Sequence, residues 1–141
     1  MSYLLDTNVL SELRRKRPDP RVVKWFEDRP RALLYLSVLT LGEIRKGIES
    51  LQETQRKQVL IDWLEVDLPQ YFLGRLLDVD VPVADRWGRL MSEAARPLPA
   101  IDGLLAATAL RHDLTLVTRN TKDFENLGVR LLNPWVADLK E

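Results

Sequence analysis

Cysteine is absent from the sequence, histidine occurs once, and the positive and negative charges balance. Without cysteine the chain can form no disulfide, iron–sulfur cluster or thiolate zinc site. The single histidine, His112, excludes a nuclease mechanism that uses two histidines of one chain. Because 21 basic residues face 21 acidic ones, the net charge gives no general attraction to nucleic acid, and electrostatic recognition must come from local segregation of charge.

Long hydrophobic runs are also missing. No stretch approaches the roughly 20 apolar residues of a membrane span, and the N-terminus lacks the basic region and apolar core of a secretion signal. We therefore expect a cytoplasmic protein with no membrane contact. A length of 141 residues with 45% hydrophobic content predicts one globular domain, residues 1–141, that is long enough to bury a core.

Short apolar runs alternate with helical patterns along the chain. The apolar runs predict strands at residues 3–5, 33–37, 76–79, 114–118 and 129–132. The helical patterns predict helices at residues 8–15, 20–28, 40–51, 54–65, 83–95 and 102–111, with prolines as breakers between elements. Alternating strands and helices indicate an α/β fold, in which helices cover both faces of a mostly parallel central sheet.

Four carboxylates stand where an apolar strand or loop gives way to a helix: Asp6, Glu43, Asp102 and Asp123. Each has an ordinary explanation, because an acid at a helix N-terminus accepts hydrogen bonds from free N–H groups and interacts favourably with the helix dipole. The pattern from Thr40 to Glu43 fits a capping box, and Asp102 could cap a helix that begins at Gly103. The segment from Asn120 to Asp123 fits a cap with an acid at its third position. Asp6, which ends a strand, fits this explanation least well.

Capping does not explain why four acids should collect at one place. The carboxyl ends of parallel strands share one edge of the sheet, where ligands bind, so we expect the four side chains to lie near each other. Carboxylates at close range repel one another unless a cation compensates them. A hard divalent ion, Mg²⁺ or Mn²⁺, prefers oxygen ligands and leaves positions for water and a substrate phosphate.

The remaining motifs narrow the chemistry. The sequence has no glycine-rich phosphate loop, no GxSxG and no HExxH. His112 follows a predicted helix, where the helix C-terminus favours a cation, so we expect a structural role for it. Metal-activated water attacking a phosphodiester is the reaction that these features favour.

Four segments of the sequence carry motifs, in the order LLDTNVLSE at 4–12, SVLTLGEIRKGI at 37–48, DGLLAATA at 102–109 and TLVTRNTKDF at 115–124. They resemble the motifs of PIN-domain ribonucleases, most closely the FitB-like branch of the VapC toxin family. The resemblance implies a PIN-like three-layer α/β/α fold and RNA cleavage that depends on Mg²⁺ or Mn²⁺. It implies that the four acids, Asp6, Glu43, Asp102 and Asp123, are catalytic and hold the metal.

The resemblance also assigns supporting roles and partners. Thr118 and Asn120, with Thr7 or Asn8, match the polar positions that orient the carboxylates and the metal-bound water. The family implies a homodimer and a cognate antitoxin with a DNA-binding domain, and it leaves open a larger toxin–antitoxin assembly on operator DNA.

Basic and aromatic residues add weaker expectations. Arg14 to Arg17 could attract RNA phosphates or could simply be a solvated helix end. Arg45 could contact a substrate phosphate or pair with surface acids. Arg119, between Thr118 and Asn120, is better placed than Arg45 to contact substrate. The four tryptophans are spaced like core or interface anchors rather than a platform for stacked bases.

Other functions fit the motifs less well or remain open. A two-component receiver domain needs a lysine at the end of a late strand, where this chain has Thr118, Arg119 and Asn120. A haloacid-dehalogenase-like phosphatase needs a second aspartate at the position of Asn8. A PIN-type nuclease that acts on DNA or structured junctions, and a mainly regulatory DNA-bound partner, remain the alternatives.

Overall fold

The computed structural model describes residues 1–136, and five short strands form its central sheet. The strands are β1 (Tyr3–Leu5), β2 (Leu34–Ser37), β3 (Leu76–Leu77), β4 (Thr115–Val117) and β5 (Leu131–Leu132). They lie in the order β3-β2-β1-β4-β5, and every neighbouring pair is parallel. The α/β prediction is therefore confirmed, with a sheet that is parallel throughout.

Seven α-helices connect the strands. They are α1 (Thr7–Leu13), α2 (Pro20–Glu27), α3 (Val38–Glu49), α4 (Gln55–Asp62), α5 (Leu68–Tyr71), α6 (Val81–Glu93) and α7 (Ala100–Arg111). Each of the six predicted helices is present with shifted ends. Within residues 1–136, no helix is both long and apolar enough to span a membrane.

The helix predicted at residues 54–65 extends further than its sequence pattern indicates. After α4, the backbone continues through a π-helical turn, Trp63–Asp67, directly into α5. Pro69 lies in the first turn of α5 and does not separate two elements, so the expectation that every proline acts as a breaker is wrong. The π-helical turn just before Pro69 interrupts the regular α-helical hydrogen bonding, so the missing N–H of the proline costs less there than inside a regular α-helix.

Two hydrophobic clusters cover the two faces of the sheet. Side chains of β1 alternate between them, with Tyr3 and Leu5 in the cluster shared with α1, α2 and α3, and Leu4 in the cluster shared with α6 and α7. Val117 and Leu116 of β4 alternate in the same way. A strand buried on both sides requires helices on both faces of the sheet, which gives the three-layer α/β/α arrangement.

Strand pairing brings the predicted site residues together. β1 and β4 are neighbours, with Leu5 opposite Val117, so the residues that follow them, Asp6 and Thr118, emerge side by side. The Asp6 backbone N–H donates to the Val117 carbonyl at 2.9 Å, which extends this pairing by one residue. The carboxyl ends of β1, β2 and β4 thus form the sheet edge from which the site is built.

Candidate functional site

Asp6 stands at the junction of β1 and α1, where both of its carboxylate oxygens accept hydrogen bonds. Its Oδ1 accepts from the Thr7 backbone N–H at 2.7 Å, which makes Asp6 the N-cap of α1. Its Oδ2 accepts from the Thr118 hydroxyl at 2.8 Å and from the Asn8 side-chain amide at 3.3 Å. The expectation that Asp6 is the poorest capping residue is wrong, because β1 leads straight into α1.

Thr118 connects the end of β4 to the start of α1. It is fully buried, and its hydroxyl oxygen also accepts from the Asn120 backbone N–H at 3.1 Å and from the Asn8 amide at 3.3 Å. The Asn8 side-chain oxygen in turn accepts from the Arg119 backbone N–H at 3.2 Å. These bonds form one network around Asp6. Orientation of the metal ligands by Thr118 and Asn120 stays a prediction, which this network supports.

Glu43 reaches the same place from the second turn of α3. The helix begins at Val38 with Ser37 as its N-cap, so the capping box predicted from Thr40 to Glu43 is wrong. Glu43 Oε1 instead accepts a hydrogen bond from the Thr7 hydroxyl at 2.6 Å. That bond ties α3 to the first residue of α1 and holds an exposed carboxylate beside the sheet edge.

Asp102 is the half-buried acid of the group and lies in the first turn of α7, which begins two residues earlier. Burial raises the pKa of its carboxyl above the ordinary value, and the charges of Asp123, Asp6 and Glu43 raise that pKa further. Asp123 is exposed in the 3₁₀ turn Thr121–Phe124 and does not line the cavity described below. It is nevertheless close enough for its charge to act on Asp102.

The Asp6 carboxyl also has a raised pKa. Burial is the main cause and the charge of Glu43 adds to it, whereas the hydrogen bonds from Thr118, Thr7 and Asn8 act in the opposite direction. In the part of the chain that the structure describes, none of the four predicted acids forms a salt bridge. Their negative charges therefore have no paired protein cation among these residues.

A cavity of about 470 Å³ opens between these side chains. Its lining consists of Asp6, Thr7, Asn8, Ser11, Glu12, Arg15, Glu43, Asp102, Arg119, Asn120 and Trp135. Sequence reasoning did not identify Ser11, Glu12 or Trp135 as site residues. Ser11 and Glu12 follow Asn8 by one helical turn, so helical spacing could have identified them. Trp135 comes from the other end of the chain, and no local pattern points to it.

The donor atoms around the cavity suit a hard divalent cation. Carboxylate, hydroxyl and amide oxygens are available, which Mg²⁺ and Mn²⁺ prefer. Among residues 1–136, no three acidic side chains lie close enough together to hold a metal ion by themselves. A sparse carboxylate set of this kind fits an ion that keeps several bound waters, as Mg²⁺ usually does.

Several secondary expectations are settled by the structure. His112 is the exposed C-cap of α7, the structural position expected for it. Arg45 pairs with Glu65 and with Glu49, which is the surface-acid alternative. Trp25 is buried in the core, as an anchor should be.

The family to which this chain belongs can be assigned from its match to a domain model. Residues 3–129 match the model of the PIN domain. The chain belongs to the PIN-domain family. This PIN domain has a parallel sheet whose acidic edge carries the polar network of Asp6, Asn8 and Thr118.

Curated relatives and a solved structure resemble this PIN domain over almost its whole length. Toxin FitB of Neisseria gonorrhoeae is 41% identical over 135 residues, covering 94% of this chain and 97% of that protein. VapC ribonuclease Y4jK of Sinorhizobium fredii is 34% identical, covering 94% and 96%. A structure of FitAB bound to the IR36 DNA fragment superposes with a TM-score of 0.92 at 37% identity, covering 99% of each chain.

Proposed function

We propose that this PIN domain is an endoribonuclease that cleaves RNA phosphodiester bonds with Mg²⁺ or Mn²⁺ bound at Asp6, Glu43, Asp102 and Asp123. The observation that carries the proposal is that Asp6, Glu43 and Asp102 line one cavity at the sheet edge and form no salt bridge with a described residue. Their proximity is consistent with the raised pKa of Asp102. Carboxylates that a fold places together, without a salt bridge to a described residue, favour the binding of a cation that compensates their charge. The name of the ribonuclease relative supports RNA as the substrate.

The chain's own residues prepare this chemistry by fixing the carboxylates. Thr118 and the Thr7 backbone N–H hold the two oxygens of Asp6, and the Thr7 hydroxyl holds Glu43. Asp102 stays in the cavity wall because α7 packs against α6. A bound divalent ion would supply an activated water and charge stabilisation at the phosphate. Fixed ligands need little rearrangement when charge develops, which is the general source of such catalysis.

We also propose that the chain acts as the toxin of a toxin–antitoxin pair and forms a homodimer. The relative named Toxin FitB and the FitAB structure on DNA support a partner of this kind. We expect a short cognate antitoxin with a DNA-binding domain, and a larger assembly of toxin and antitoxin on operator DNA. An antitoxin arginine could pair with Asp6, Glu43 and Asp102 through its planar fork and so exclude the metal. We take residues 1–141 to act as a single PIN domain.

Cleavage by purified protein tests the enzymatic proposal. Single-stranded RNA should be cut in Mg²⁺ or Mn²⁺ and not in EDTA. Asp6→Ala, Glu43→Ala and Asp102→Ala should each lower the rate by orders of magnitude, whereas His112→Ala should not. Glu93→Ala, an exposed acid at the end of α6, serves as the matched control for loss of charge. Cleavage that persists in EDTA, or that depends on His112, would reject the metal mechanism.

The alternatives predict different results in the same assay. A nuclease for DNA or structured junctions would cut those substrates and spare single-stranded RNA. A mainly regulatory partner would bind operator DNA with its antitoxin and cleave neither. Expression alone should arrest growth, and co-expression of the adjacent open reading frame should restore it. Harmless expression of an active ribonuclease, with no binding by the neighbouring product, would reject the toxin role alone.

A further inference from the structure

Two arginines line the acidic cavity, and they differ in what they contact. The Arg15 guanidinium pairs with the buried Glu12 carboxylate at 3.3 Å. The Arg119 guanidinium lies over the indole ring of Trp135, with its central carbon 5.2 Å from the ring centroid. Within residues 1–136, Arg119 has no carboxylate at salt-bridge distance. Arg119 is therefore a cation at the acidic cavity that lies over an aromatic ring and forms no salt bridge with a described residue, although its charge acts on Asp19 at longer range.

The main chain of Arg119 is fixed on both sides. Its N–H donates to the Asn8 side-chain oxygen at 3.2 Å, and its carbonyl accepts from the Asn133 side-chain amide at 3.4 Å. The Asn133 side-chain oxygen accepts from the Trp135 N–H at 2.9 Å. The Asn133 side chain thus links the backbone of Arg119 to the backbone of Trp135, whose ring lies under the Arg119 guanidinium.

Trp135 is a rigid support for this arginine. Its side chain is only 6% exposed and lines the cavity beside Glu12. Glu12 is itself buried and accepts a hydrogen bond from the Asp19 backbone N–H at 2.9 Å. The indole is therefore held by the core, and it presents a ring face to the guanidinium at the cavity. Interactions of this kind hold an arginine in place without neutralising its charge.

We infer that Arg119 binds a backbone phosphate of the single-stranded RNA substrate and that Trp135 is the positioning residue that holds it for this contact. The inference rests on the proposed ribonuclease function and adds to it a residue outside the four acids. A planar guanidinium with free N–H groups matches two phosphate oxygens at once. An acidic cavity repels RNA unless a cation offsets its charge, and Arg119 supplies a permanent one.

Binding of a labelled single-stranded RNA tests this inference without depending on cleavage. Fluorescence anisotropy in EDTA, over a range of salt concentrations, would compare the unsubstituted protein with Arg119→Ala. We expect affinity to fall by about tenfold to a hundredfold, as for loss of a charged hydrogen-bonding group. The slope of log affinity against log salt should become smaller by about 0.7, the value for one phosphate contact on a single strand.

Matched variants separate contact with phosphate from general effects. Arg119→Lys should keep the salt slope but lose affinity, because it keeps the charge and loses the fork. Arg89→Ala, which removes an exposed arginine that pairs with Asp85 on α6, should change neither. Trp135→Phe keeps an aromatic ring in the core and should weaken RNA binding several-fold with an unchanged slope. Thermal unfolding checks that each variant is folded.

The outcomes for the inference and for the proposed function are distinct. Equal RNA affinity and salt slope in Arg119→Ala and Arg89→Ala would overturn the inference even if metal-dependent cleavage is found. RNA binding that depends on Arg119, without any cleavage in Mg²⁺ or Mn²⁺, would support the inference and reject the enzymatic proposal. Absence of RNA binding by the unsubstituted protein, or an Arg119 effect confined to antitoxin binding, would also overturn the inference.

Discussion

At the scale of single residues, the site is defined by carboxylates whose ionised form the fold disfavours. Asp102 and Asp6 both have a raised pKa, first because they are buried and then because other acids lie near them. Thr118 and Thr7 partly compensate Asp6 with hydrogen bonds, whereas no hydrogen bond is among the causes that shift the pKa of Asp102. A bound cation would favour the ionised form of both carboxylates.

Metal binding should be visible as a gain in stability. Mg²⁺ or Mn²⁺ at 100 times its dissociation constant should raise the free energy of unfolding by about 2.7 kcal/mol, because only the folded state assembles the ligands. Asp6→Asn should abolish most of the resulting rise in melting temperature, and Asp85→Asn, an exposed acid on α6, should leave it intact. A metal response that Asp6→Asn and Asp102→Asn do not reduce would reject a single shared site.

The raised pKa of Asp102 predicts how stability depends on pH without metal. The folded state holds this proton more tightly than the unfolded state, so the contribution of Asp102 to stability is fully present below the ordinary aspartate pKa. This contribution to stability is lost as the pH rises through the pKa that Asp102 has in the folded state. Asp102→Asn should remove that loss and stabilise the metal-free protein near neutral pH by less than about 1 kcal/mol, since the group is half-exposed. Denaturant unfolding in EDTA at several pH values measures this. A variant less stable than the parent at neutral pH would show that the acid acts mainly as a helix-terminal residue.

At the scale of elements, the position of Asp102 depends on how closely α6 and α7 pack. Gly103, the next residue, faces α6, and a Cβ atom there would lie 2.7 Å from Met91 Sδ and 3.0 Å from Trp87 Nε1. Trp87 has a rigid ring, so a side chain at residue 103 would have to push the two helices apart. The absence of a side chain at Gly103 thus lets α7, the helix that carries Asp102, approach α6 closely.

A matched pair of glycine substitutions tests this packing. Gly103→Ala should destabilise the protein by about 1–3 kcal/mol through overpacking and should lower cleavage by displacing Asp102. Gly88→Ala, on α6 with open space around its position, should stabilise it by about 0.5–1 kcal/mol through helix propensity. Chemical denaturation gives both values. Equal effects of the two substitutions would show that the close contact at Gly103 is unimportant.

At the scale of the whole molecule, a sheet covered on both faces still leaves large apolar side chains exposed. Leu73 precedes the edge strand β3 in the chain and Val81 follows it, and they are 81% and 82% exposed. Contiguous exposed apolar patches mark surfaces that another chain covers, whereas single exposed side chains are ordinary. Leu73 and Val81 are therefore positions at which the proposed homodimer can be tested.

Light scattering of the purified chain tests the assembly. We expect a mass of twice the 16.3 kDa of one chain. Val81→Asp should shift the equilibrium toward the monomer because a buried carboxylate would be unpaired, whereas Val59→Asp, at a half-exposed valine on α4, should not. A monomeric parent protein at micromolar concentration would reject the homodimer.

The amino-acid sequence by itself determined the elements and the order of the motifs. The apolar runs around Leu4 and Leu116 predict strands, because a strand buried on both faces needs consecutive apolar residues. Helical periodicity predicts the helices that carry Glu43 and Asp102. These signals are local, since each depends only on residues that are near in the sequence, so they can be recognised without knowledge of the tertiary structure.

Only the tertiary structure decided which residues meet. The bond between Thr118 and Asp6 joins residues 112 positions apart, and it exists because β4 pairs with β1. Trp135 reaches the cavity and holds Arg119 for the same reason, because β5 pairs with β4 just before it. Strand order and register come from the packing of the whole chain, so no local pattern encodes them. The capping roles that local pattern assigned to Glu43 and Asp102 were wrong, because α3 and α7 begin earlier than predicted.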